Sequence, residues 1–344
     1  MKLNYTIATL GSHSALQILK GAKDEGFKTL IVVTPDRQKF YGRFPFIDKQ
    51  MVIPTYKDFA RVDAQLQKQK VILIPHGSFV AYLGVAGNKE IKTPYFGNKK
   101  VLDWEGDRNQ QRKWLTEAKI RQPRIFKNAA EIDCPVIVKG FGADGGQGYF
   151  VAQTQKDFAQ QIKSFAAPTS AATESKKYLI QEYIVGVPMY LHFFYSPITK
   201  QVELLSMDRR YETNVDGIGR IPANQQMQMP ISPSFVVVGN SPLVVRESML
   251  AEAYEMAERF VTASQKIIDQ RGIFGPFCLE TIVTPDQKFH CIEASCRIVA
   301  GTNLFIDSSP YASLIYDEPM STGRRIAREI KIAIQKKCLE EVID

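Results

Sequence analysis

The stretch GPFCLETIVTPDQKFHCIEASCRIVAGTN, residues 275–303, decides the fold of this chain. Its two runs Phe277–Thr284 and Phe289–Ala294 are rich in apolar and β-branched residues, which favour strands. Between them lie the turn-forming residues 285–288, with the sequence Pro-Asp-Gln-Lys. Two such runs joined by so short a polar segment are typical of a β-hairpin, here with a four-residue loop. The stretch therefore predicts two paired antiparallel strands.

The register of this hairpin places two carboxylates opposite each other. If Thr284 faces Phe289 across the loop, Glu280 falls opposite Glu293. Like charges directly opposite each other on one sheet face are destabilising. The pair is explained if a divalent cation lies between the carboxylates and bridges them to phosphate oxygens, which is how Mg²⁺ is commonly held. The alternatives are that both side chains point into water, or that the register differs by one residue.

A glycine-rich segment in the middle of the chain suggests a second part of a nucleotide site. Residues Pro135–Lys139 form a short apolar run that ends in a lysine, and GFGADGGQG, residues 140–148, follows with five glycines in nine. Tyr149–Ala152 then resumes a strand pattern. Glycine lets backbone N–H groups approach a ligand closely, so this loop can direct them at phosphates. No helix follows the loop, which excludes a P-loop and a Rossmann fingerprint. A flexible turn without a ligand is the alternative.

In this order and spacing, the two segments resemble the ATP-grasp superfamily, whose members join a carboxylate to an amine through an acyl phosphate. Longer strings resemble the archaeal PurP family, the formate-dependent FAICAR synthetases: SHSALQILKGAKDEGF, GSFVAYLG, PYFGNKKVL, RRYETNVDGIGRIPA, GPFCLE, RIVAGTN and STGRRIA. The resemblance runs from about Tyr5 to the C-terminal helix. It implies a mixed α/β and α+β fold, in which an N-terminal parallel α/β (pre-ATP-grasp) domain precedes a two-subdomain ATP-grasp fold.

Three units are expected along the chain. Residues 1–98 alternate strand and helix patterns, which predicts a parallel sheet with helices on its faces. By the resemblance, this unit binds the substrate, residues 99–184 form the small ATP-grasp subdomain with the glycine-rich flap, and residues 185–344 form the large subdomain with the metal-binding glutamates. The strands predicted in the first unit include Tyr5–Thr9, Thr29–Val33 and Val71–Pro75.

Two further elements of the third unit are predicted from local patterns. Apolar residues recurring at three and four predict a helix over Pro242–Gln270. The segment Asp208–Arg220 carries several arginines beside the turn-forming Gly217 and Gly219, and it is predicted to be a substrate loop. A solvated charged loop is the alternative.

Polar turns follow two strands of the predicted parallel sheet. Gly11–Ser14 follows the first strand and His76–Ser78 the fourth, and each turn leads into a helix. Ligands of such sheets bind at the carboxyl ends of the strands, and the free N–H groups at a helix start suit an anion. Ordinary N-capping by Ser14 and Ser78 is the alternative. The resemblance implies that His13, Ser14 and Ser78 contact the ribonucleotide AICAR (5-aminoimidazole-4-carboxamide ribonucleotide).

The resemblance also implies contacts with ATP. Lys139 is expected to reach the α- and β-phosphates, and Glu212 the ribose hydroxyls. Backbone amides of the glycine-rich loop are expected to cover the phosphates, and the segment at the end of the following strand is expected to pair with adenine. The implied ATP-binding residues are Lys139, Gly142, Gly145, Gly146, Gly148, Gln181, Glu182, Tyr183, Ile184 and Glu212.

Metal and catalytic roles follow from the same resemblance. Glu280 and Glu293 are expected to hold Mg²⁺, with Mn²⁺ as an alternative, against the β- and γ-phosphates of the co-substrate ATP. Arg297 is the candidate catalytic residue and would steady the γ-phosphate or the acyl phosphate. A salt bridge from Arg297 to one of the two glutamates is the alternative. Asn240 and Arg209 are expected to contact the substrate.

Bulk composition narrows the class of protein. The chain has 344 residues, of which 44% are hydrophobic and 23% charged, values typical of soluble globular proteins. No run of about 18 apolar residues predicts a transmembrane helix, and residues 1–17 lack the apolar core of a signal peptide. Five cysteines without a CxxC pair argue against a disulfide framework, so a cytoplasmic protein is expected. The net charge of +8 is spread along the chain, and nucleic-acid or membrane partners are not expected.

The resemblance implies a reaction in two steps within purine (IMP) biosynthesis. Formate attacks the γ-phosphate of ATP to give formyl phosphate and ADP. The 5-amino group of AICAR then attacks the formyl carbon to give FAICAR and phosphate. The expected partners are therefore ATP, formate and AICAR, and the family implies a homo-oligomer. A ligase acting on another acid or ribonucleotide remains open, as does a nucleotide-binding sensor without catalysis.

Overall fold

A computed structural model describes residues 4–140, 149–163, 165, 178–226 and 236–344. Its strands are β1 Thr6–Leu10, β2 Lys28–Val33, β3 Lys49–Val52, β4 Val71–Leu73, β5 Ile125–Phe126, β6 Val136–Gly140, β7 Tyr149–Ala152, β8 Tyr178–Glu182, β9 Val187–Ser196, β10 Gln201–Glu212, β11 Val237–Pro242, β12 Gly275–Val283 and β13 Phe289–Ser295. Its α-helices are α1 Ala15–Asp24, α2 Pro35–Tyr41, α3 Ala60–Gln67, α4 Gly77–Glu90, α5 Val101–Gly106, α6 Arg108–Glu117, α7 Gln155–Gln161, α8 Thr213–Ile218, α9 Ala223–Gln226, α10 Leu250–Ile267 and α11 Thr322–Lys336. Within these ranges no helix combines the length and the apolar character needed to span a membrane.

The first sheet is parallel, in the order β3-β2-β1-β4, so the predicted parallel sheet is confirmed. Its central strands read TIATL and KTLIVV and are almost entirely buried, as expected when helices cover both faces. The edge strand β3 buries only Met51, and its sequence KQMV therefore carries little strand signal. The carboxyl ends of β1 and β4 lie side by side, which brings the two polar turns of this sheet together.

Two antiparallel sheets follow, a small one in the order β5-β8-β6-β7 and a large one in the order β11-β10-β9-β12-β13. One face of the large sheet packs on α10, where the rings of Phe193 and Phe277 stack at 5.4 Å and those of Phe260 and Phe277 at 5.6 Å between centroids. Trp114 of α6 stacks on Phe260 at 4.0 Å. This apolar layer fixes the sheet from one side and leaves the opposite face for polar residues.

The predicted helix over Pro242–Gln270 is wrong at its start. Residues up to Pro242 form the edge strand β11, and the amide of Leu243 still donates to the carbonyl of Met207 at 3.1 Å. The helix α10 begins only at Leu250, where the three-and-four spacing becomes continuous. The β-branched residues before it favour the extended conformation.

The predicted substrate loop over Asp208–Arg220 is also corrected. Asp208 to Glu212 complete the twelve-residue strand β10, and Thr213–Ile218 form the short helix α8. Arg209 and Arg210 are therefore placed by strand pairing, so their side chains lie on opposite sheet faces. The strand therefore fixes the direction in which each of these arginine side chains points.

Helices α1 and α11 pack in close contact and join the first sheet to the large one. A Cβ on Gly21 would lie 2.2 Å from the amide nitrogen of Arg324, so only glycine permits this approach. The buried carboxylate of Glu25, which directly follows α1, accepts hydrogen bonds from Arg324 and Arg328 at 2.8 and 2.9 Å, and Lys331 lies at 3.2 Å. These three cations lower the pKa of Glu25 to about 2 against the cost of burial.

Candidate active site

The candidate site occupies the face of the large sheet opposite α10. Tyr190 of β9 is the register partner of Asp208 on one side and of Glu280 on the other, and Glu280 is the partner of Glu293. Directly paired residues project on the same face of a sheet. The four side chains therefore form a polar row across four strands.

The hairpin places Glu280 opposite Glu293, and this part of the register prediction is confirmed. The predicted pairing of Thr284 with Phe289 is wrong, because Val283 faces Phe289. A bulge between the loop and the glutamates shifts the register by one residue and so restores the predicted carboxylate pair. Glu280 and Glu293 are thus paired within the hairpin, and the bulge lies directly beside them, between Glu280 and Thr281.

Arg210 holds Glu280 in a fixed orientation. Its two terminal nitrogens donate to the two carboxylate oxygens at 3.0 and 2.8 Å, and its guanidinium carbon lies 3.7 Å from the centre of the Tyr190 ring. Ser295 donates to the same carboxylate at 3.3 Å. A bidentate pair that also stacks on an aromatic ring is geometrically well defined. Glu280 is buried, and Arg210 compensates its charge.

Glu293 has no such partner among the described residues, and the charges of Glu280 and Glu105 outweigh those of Arg210 and Arg108 near it. The Glu293 side chain is exposed to solvent, although many protein atoms surround its carboxyl group. This crowding, with the charges of Glu280 and Glu105, raises the pKa of Glu293 to about 7. The described residues contain no cluster of three or more His, Cys, Asp and Glu side chains able to hold a metal. Two facing carboxylates, of which Glu293 has no salt bridge among the described residues, fit Mg²⁺, which takes few protein ligands and completes its shell with phosphate and water.

Lys139 lies close enough to Glu293 to interact with it electrostatically. Burial and the positive charge of Arg108 lower the pKa of Lys139, and Glu293 opposes that shift. Arg108 is the first residue of α6 and also acts on Glu293. The end of β6, the start of α6 and the hairpin therefore converge, although they come from separate parts of the chain. Lys139 and Arg108 thus lie close enough to act on the carboxylate of Glu293, which has no salt bridge among the described residues.

Arg297 forms its salt bridge with Glu105, at 2.9 Å. The expected alternative, a bridge to Glu280 or Glu293, is therefore not what the structure contains. The Nε of Arg297 is buried without a hydrogen-bond partner among the described residues. A terminal nitrogen of the same guanidinium would lie 3.4 Å from a Cβ added to Gly77, so Arg297 borders the first sheet.

His13 lies beside Gly77 and Arg297, where the first and large sheets meet. It adopts φ of 53°, and its Nδ1 is 3.0 Å from the hydroxyl of Ser14. Burial and the charges of Arg297 and Arg210 lower the pKa of His13 to about 4. The ring is therefore neutral at pH 7 and can exchange hydrogen bonds with a ligand without adding charge.

Neither serine of the two turns acts as an ordinary N-cap. Ser14 precedes α1 but makes no side-chain cap hydrogen bond. The cap of α4 is His76, whose Nδ1 accepts from the amide of Ser78 at 3.2 Å. The hydroxyl of Ser78 instead donates to that of Ser12 at 2.9 Å and so links the two turns. The structure therefore brings His13, Ser14 and Ser78 together at the carboxyl edge of the first sheet.

The predicted adenine segment lies at the end of β8. The amide of Glu182 donates to the carbonyl of Arg124, and that of Tyr183 to the carbonyl of Pro135, both at 2.9 Å. The Glu182 carboxylate accepts from the Arg124 amide at 3.0 Å. Gln181 is buried within the small sheet. Of the four predicted residues, Ile184 is the one whose amide has no acceptor among the described residues.

Three other predicted contacts lie around α8 and β11. Arg209 is 3.9 Å from Asp216, whose carboxylate also accepts from the amide of Glu212. Burial and Asp216 raise the pKa of Glu212. Asn240 is the register partner of Arg210 and so shares the sheet face of Glu280. The predicted phosphate-covering glycines, Gly142, Gly145, Gly146 and Gly148, lie outside the described residues.

Known protein families and individual known proteins match almost the whole chain. The family model "Domain of unknown function (DUF1297)" matches residues 157–344, "Protein of unknown function (DUF1246)" matches 7–126, and "Carbamoyl-phosphate synthase L chain, ATP binding domain" matches 117–189. The 5-formaminoimidazole-4-carboxamide-1-(beta)-D-ribofuranosyl 5'-monophosphate synthetase (FAICAR synthetase) of Pyrococcus horikoshii is 52% identical over 338 residues, which is 98% of this chain and 99% of that protein. This chain belongs to the FAICAR synthetase family.

Solved structures place the FAICAR synthetase family among ATP-grasp proteins. The crystal structure of an IMP biosynthesis protein PurP from Thermococcus kodakaraensis matches with a TM-score of 0.75 at 32% identity, covering 98% of this chain and 100% of that one. N5-carboxyaminoimidazole ribonucleotide synthetase from Thermotoga maritima matches at 16% identity with a TM-score of 0.60, covering 96% of this chain and 76% of that one, which supports the fold alone. The predicted ATP-grasp fold is confirmed, and it implies the use of ATP and a divalent metal ion.

The sequence gives no role to Glu105 or Arg108 of this FAICAR synthetase site, and it places Arg210 only in a substrate loop. Glu105 holds Arg297, Arg108 faces Lys139 and Glu293, and Arg210 clamps Glu280. Arg210 could have been found, because its alternation with Asp208 in a strand would have placed both on one face. Glu105 and Arg108 carry no local signal, since their role depends on how α5 and α6 pack against the hairpin.

Proposed function

We propose that this chain is an ATP- and formate-dependent carbon–nitrogen ligase that converts AICAR to FAICAR, with ADP and phosphate as the other products. The observation that carries the proposal is full-length identity of 52% with a protein named FAICAR synthetase. The convergence of Lys139, Glu280, Glu293 and the two polar turns in one region supports it, because a ligase must hold two phosphorylated substrates side by side.

The chain's own residues bind ATP and keep it oriented. Lys139 and Arg108 supply positive charge for the phosphates, and the amide of Ile184, which has no acceptor among the described residues, suits a ring nitrogen of adenine. Glu280 and Glu293 would hold Mg²⁺, or Mn²⁺ in its place, which supplies charge neutralisation and orientation of the γ-phosphoryl group. Arg210 holds Glu280 in a fixed orientation through two hydrogen bonds, so this part of the metal-binding geometry exists before the nucleotide arrives.

The second substrate occupies the edge of the first sheet. The linked turns at the starts of α1 and α4 offer backbone N–H groups and the hydroxyls of Ser12, Ser14 and Ser78 to its phosphate. Neutral His13 adds a hydrogen bond without charge. Arg297 lies between these turns and Glu105, where it can steady a phosphorylated intermediate. Asn240 and Arg209 would complete the substrate contacts, and Glu212 the ribose contact.

The reaction then follows from substrate placement. An oxygen of formate attacks the γ-phosphorus of ATP and the bond to the ADP oxygen breaks, giving formyl phosphate. The amine nitrogen of AICAR attacks the formyl carbon, the bond to phosphate breaks, and the nitrogen releases a proton to water or buffer. Formyl phosphate hydrolyses readily, so the closed cleft must exclude water between the two steps.

The proposal extends to the organisation of the chain. We assign substrate binding to residues 1–98, the small ATP-grasp subdomain to 99–184 and the large one to 185–344. We also propose that the protein works as a homo-oligomer in the cytoplasm. The three sheets and the family support the division of the chain, which truncation at residue 98 would test. Size-exclusion chromatography of the whole chain would test the homo-oligomer.

A product assay tests the central proposal. ADP release is measured with ATP, Mg²⁺ and AICAR, with and without formate, and the product is weighed by mass spectrometry. We expect formate-dependent ADP release and a product heavier than AICAR by one formyl group in place of hydrogen. ADP release without that product would assign another acid or ribonucleotide. ATP binding without any turnover would instead support a sensor.

A further inference from the structure

A buried aspartate lies beneath the candidate substrate residue Asn240. Asp208 has no solvent exposure, and its two carboxylate oxygens have different partners. Oδ1 meets Nε2 of His192, and Oδ2 accepts from Nδ2 of Asn240. A Cβ on Gly301 would lie 2.3 Å from Oδ1, so the backbone of residue 301 covers this side of the carboxylate. Asp208 is therefore enclosed and cannot itself reach a ligand.

This contact decides which atom Asn240 can offer to a ligand. The amide of Asn240 turns its Nδ2 toward Asp208, whose Oδ2 accepts the hydrogen bond. The planar amide then directs Oδ1 away from Asp208. Among the described residues none donates to this oxygen. Asn240 is only partly buried and shares its sheet face with Arg210 and Glu280, so the oxygen is an acceptor beside the candidate site.

An asparagine without a fixed neighbour can present either its donor or its acceptor, because the amide can rotate by half a turn. Asp208 removes that freedom. His192 in turn fixes the carboxylate by occupying its other oxygen. The contacts of Asp208 thus convert an ambiguous side chain into one that presents only an acceptor to a ligand.

We propose that Asp208 is a positioning residue that makes Asn240 accept a hydrogen bond from an exocyclic N–H group of the aminoimidazole carboxamide substrate. The inference rests on the proposed function and adds a reason for selectivity. A substrate that presents an oxygen acceptor at this position would face Oδ1 of Asn240 and be rejected. Buried polar groups left without partners are effective in such discrimination.

The first test replaces Asp208 alone, and the second exchanges the side chains at positions 208 and 240. With Nε2 of His192 as the donor, the new amide in Asp208→Asn gives its oxygen to His192 and its NH₂ group to Asn240, which must turn over and present Nδ2 to the substrate. We expect KM for AICAR to rise about tenfold or more, because a hydrogen bond is replaced by two opposed donors. KM for ATP should stay within about twofold, since Asn240 does not border the nucleotide in this proposal.

The double variant Asp208→Asn with Asn240→Asp keeps the proposal testable even if a single variant folds poorly. In this variant the amide introduced at position 208 donates to the carboxylate introduced at position 240, whose second oxygen again accepts from the substrate. We expect KM for AICAR to return to within about threefold of the wild type, a rescue that mere packing would not produce. The exposed Asp317→Asn serves as the matched control, with both KM values unchanged.

The wild-type enzyme is assayed first for formate-dependent FAICAR formation. Absence of that product overturns the proposed function and this inference together. If the wild type is active, equal rises in KM for AICAR and ATP in Asp208→Asn, or a double variant no better than the single one, would overturn the role of Asp208 alone.

Discussion

Glu25 and Glu293 are both glutamates in crowded positions, yet their surroundings differ in sign. Glu25 at the contact between α1 and α11 meets three cations, and its pKa falls to about 2. Glu293 on the hairpin meets Glu280 and Glu105, and its pKa rises to about 7. The first carboxylate is fully compensated by the chain itself, whereas the second is not.

This difference separates a structural carboxylate from one that awaits a ligand. A protein can place an arginine beside a buried glutamate, as Arg210 beside Glu280 and Arg324 beside Glu25 show. The absence of such a partner at Glu293, among the described residues, leaves local negative charge that a cation can neutralise. Strongly perturbed ionisable groups in a cleft are candidates for function on these physical grounds.

The largest effect is expected from Glu293→Gln. Loss of this carboxylate should lower kcat by about 10³-fold or more, because a metal ion supplies several kcal/mol of charge stabilisation in phosphoryl transfer. The melting temperature should stay equal or rise, since a like-charge contact is removed. Steady-state assays and thermal unfolding are measured on one preparation. The exposed Glu258→Gln is the matched control, and full activity in Glu293→Gln would mean that the sheet merely tolerates the pair.

Glu25→Gln should lower the stability and leave the activity unchanged, the reverse of what we expect for Glu293→Gln. Three cations would lose their common partner, and we expect the free energy of unfolding to fall by about 2 kcal/mol, a value reduced from that of a fully buried pair because the cations are partly exposed. The kcat of the folded variant should remain near the wild-type value. Urea unfolding measures the first and steady-state assay the second. Unchanged stability relative to the exposed control Glu90→Gln would show that the α1–α11 contact does not depend on this cluster.

The cost of Glu25→Gln should depend on pH in a defined window. The folded pKa of about 2 lies below the ordinary value of 4.5, so the folded state binds fewer protons than the unfolded one between these values. The stabilising contribution is therefore full above pH 4.5 and is lost as pH falls toward 2. Wild type and variant should converge in unfolding free energy over this range, and a constant difference would exclude the ion pairs as its source.

The smallest expected effect is the pH dependence of stability that Glu293 causes, and its sign is opposite to that of Glu25. Its folded pKa of about 7 lies above 4.5, so the folded state binds more protons between these values and loses stability as pH rises. Relative to Glu293→Gln, the wild type should lose about 1 kcal/mol between pH 4.5 and 7, a value reduced for solvent screening of the exposed group. Thermal scans without divalent metal measure it. A wild type that gains stability over this range would contradict the negative environment.

Much of this arrangement could be predicted because it depends on local patterns. Alternating strands and helices predicted the parallel sheet, and the spacing across the hairpin predicted that Glu280 opposes Glu293. The latter prediction held although Thr284 does not face Phe289, because a bulge compensated the error. Sequence periodicity does not encode bulges, and it places helix starts poorly where β-branched residues precede them, as before Leu250.

The partners of the charged residues could not be predicted, since they come from distant segments. Arg210 and Glu280 are 70 residues apart, and Arg297 meets Glu105 across an even longer separation. Charge alone does not choose among the many possible pairs. Only the packing of α5, α6 and β10 around the hairpin decides which arginine reaches which glutamate.

The contact between α1 and α11 has a consequence for how the protein is made. Glu25 and Arg324 are 299 residues apart in sequence, so the apolar face of α1 that packs on α11 remains uncovered while the ribosome synthesises nearly everything between them. The nascent first sheet must persist with this face open to solvent or to a chaperone. Final closure of the molecule is therefore coupled to the release of α11 from the ribosome.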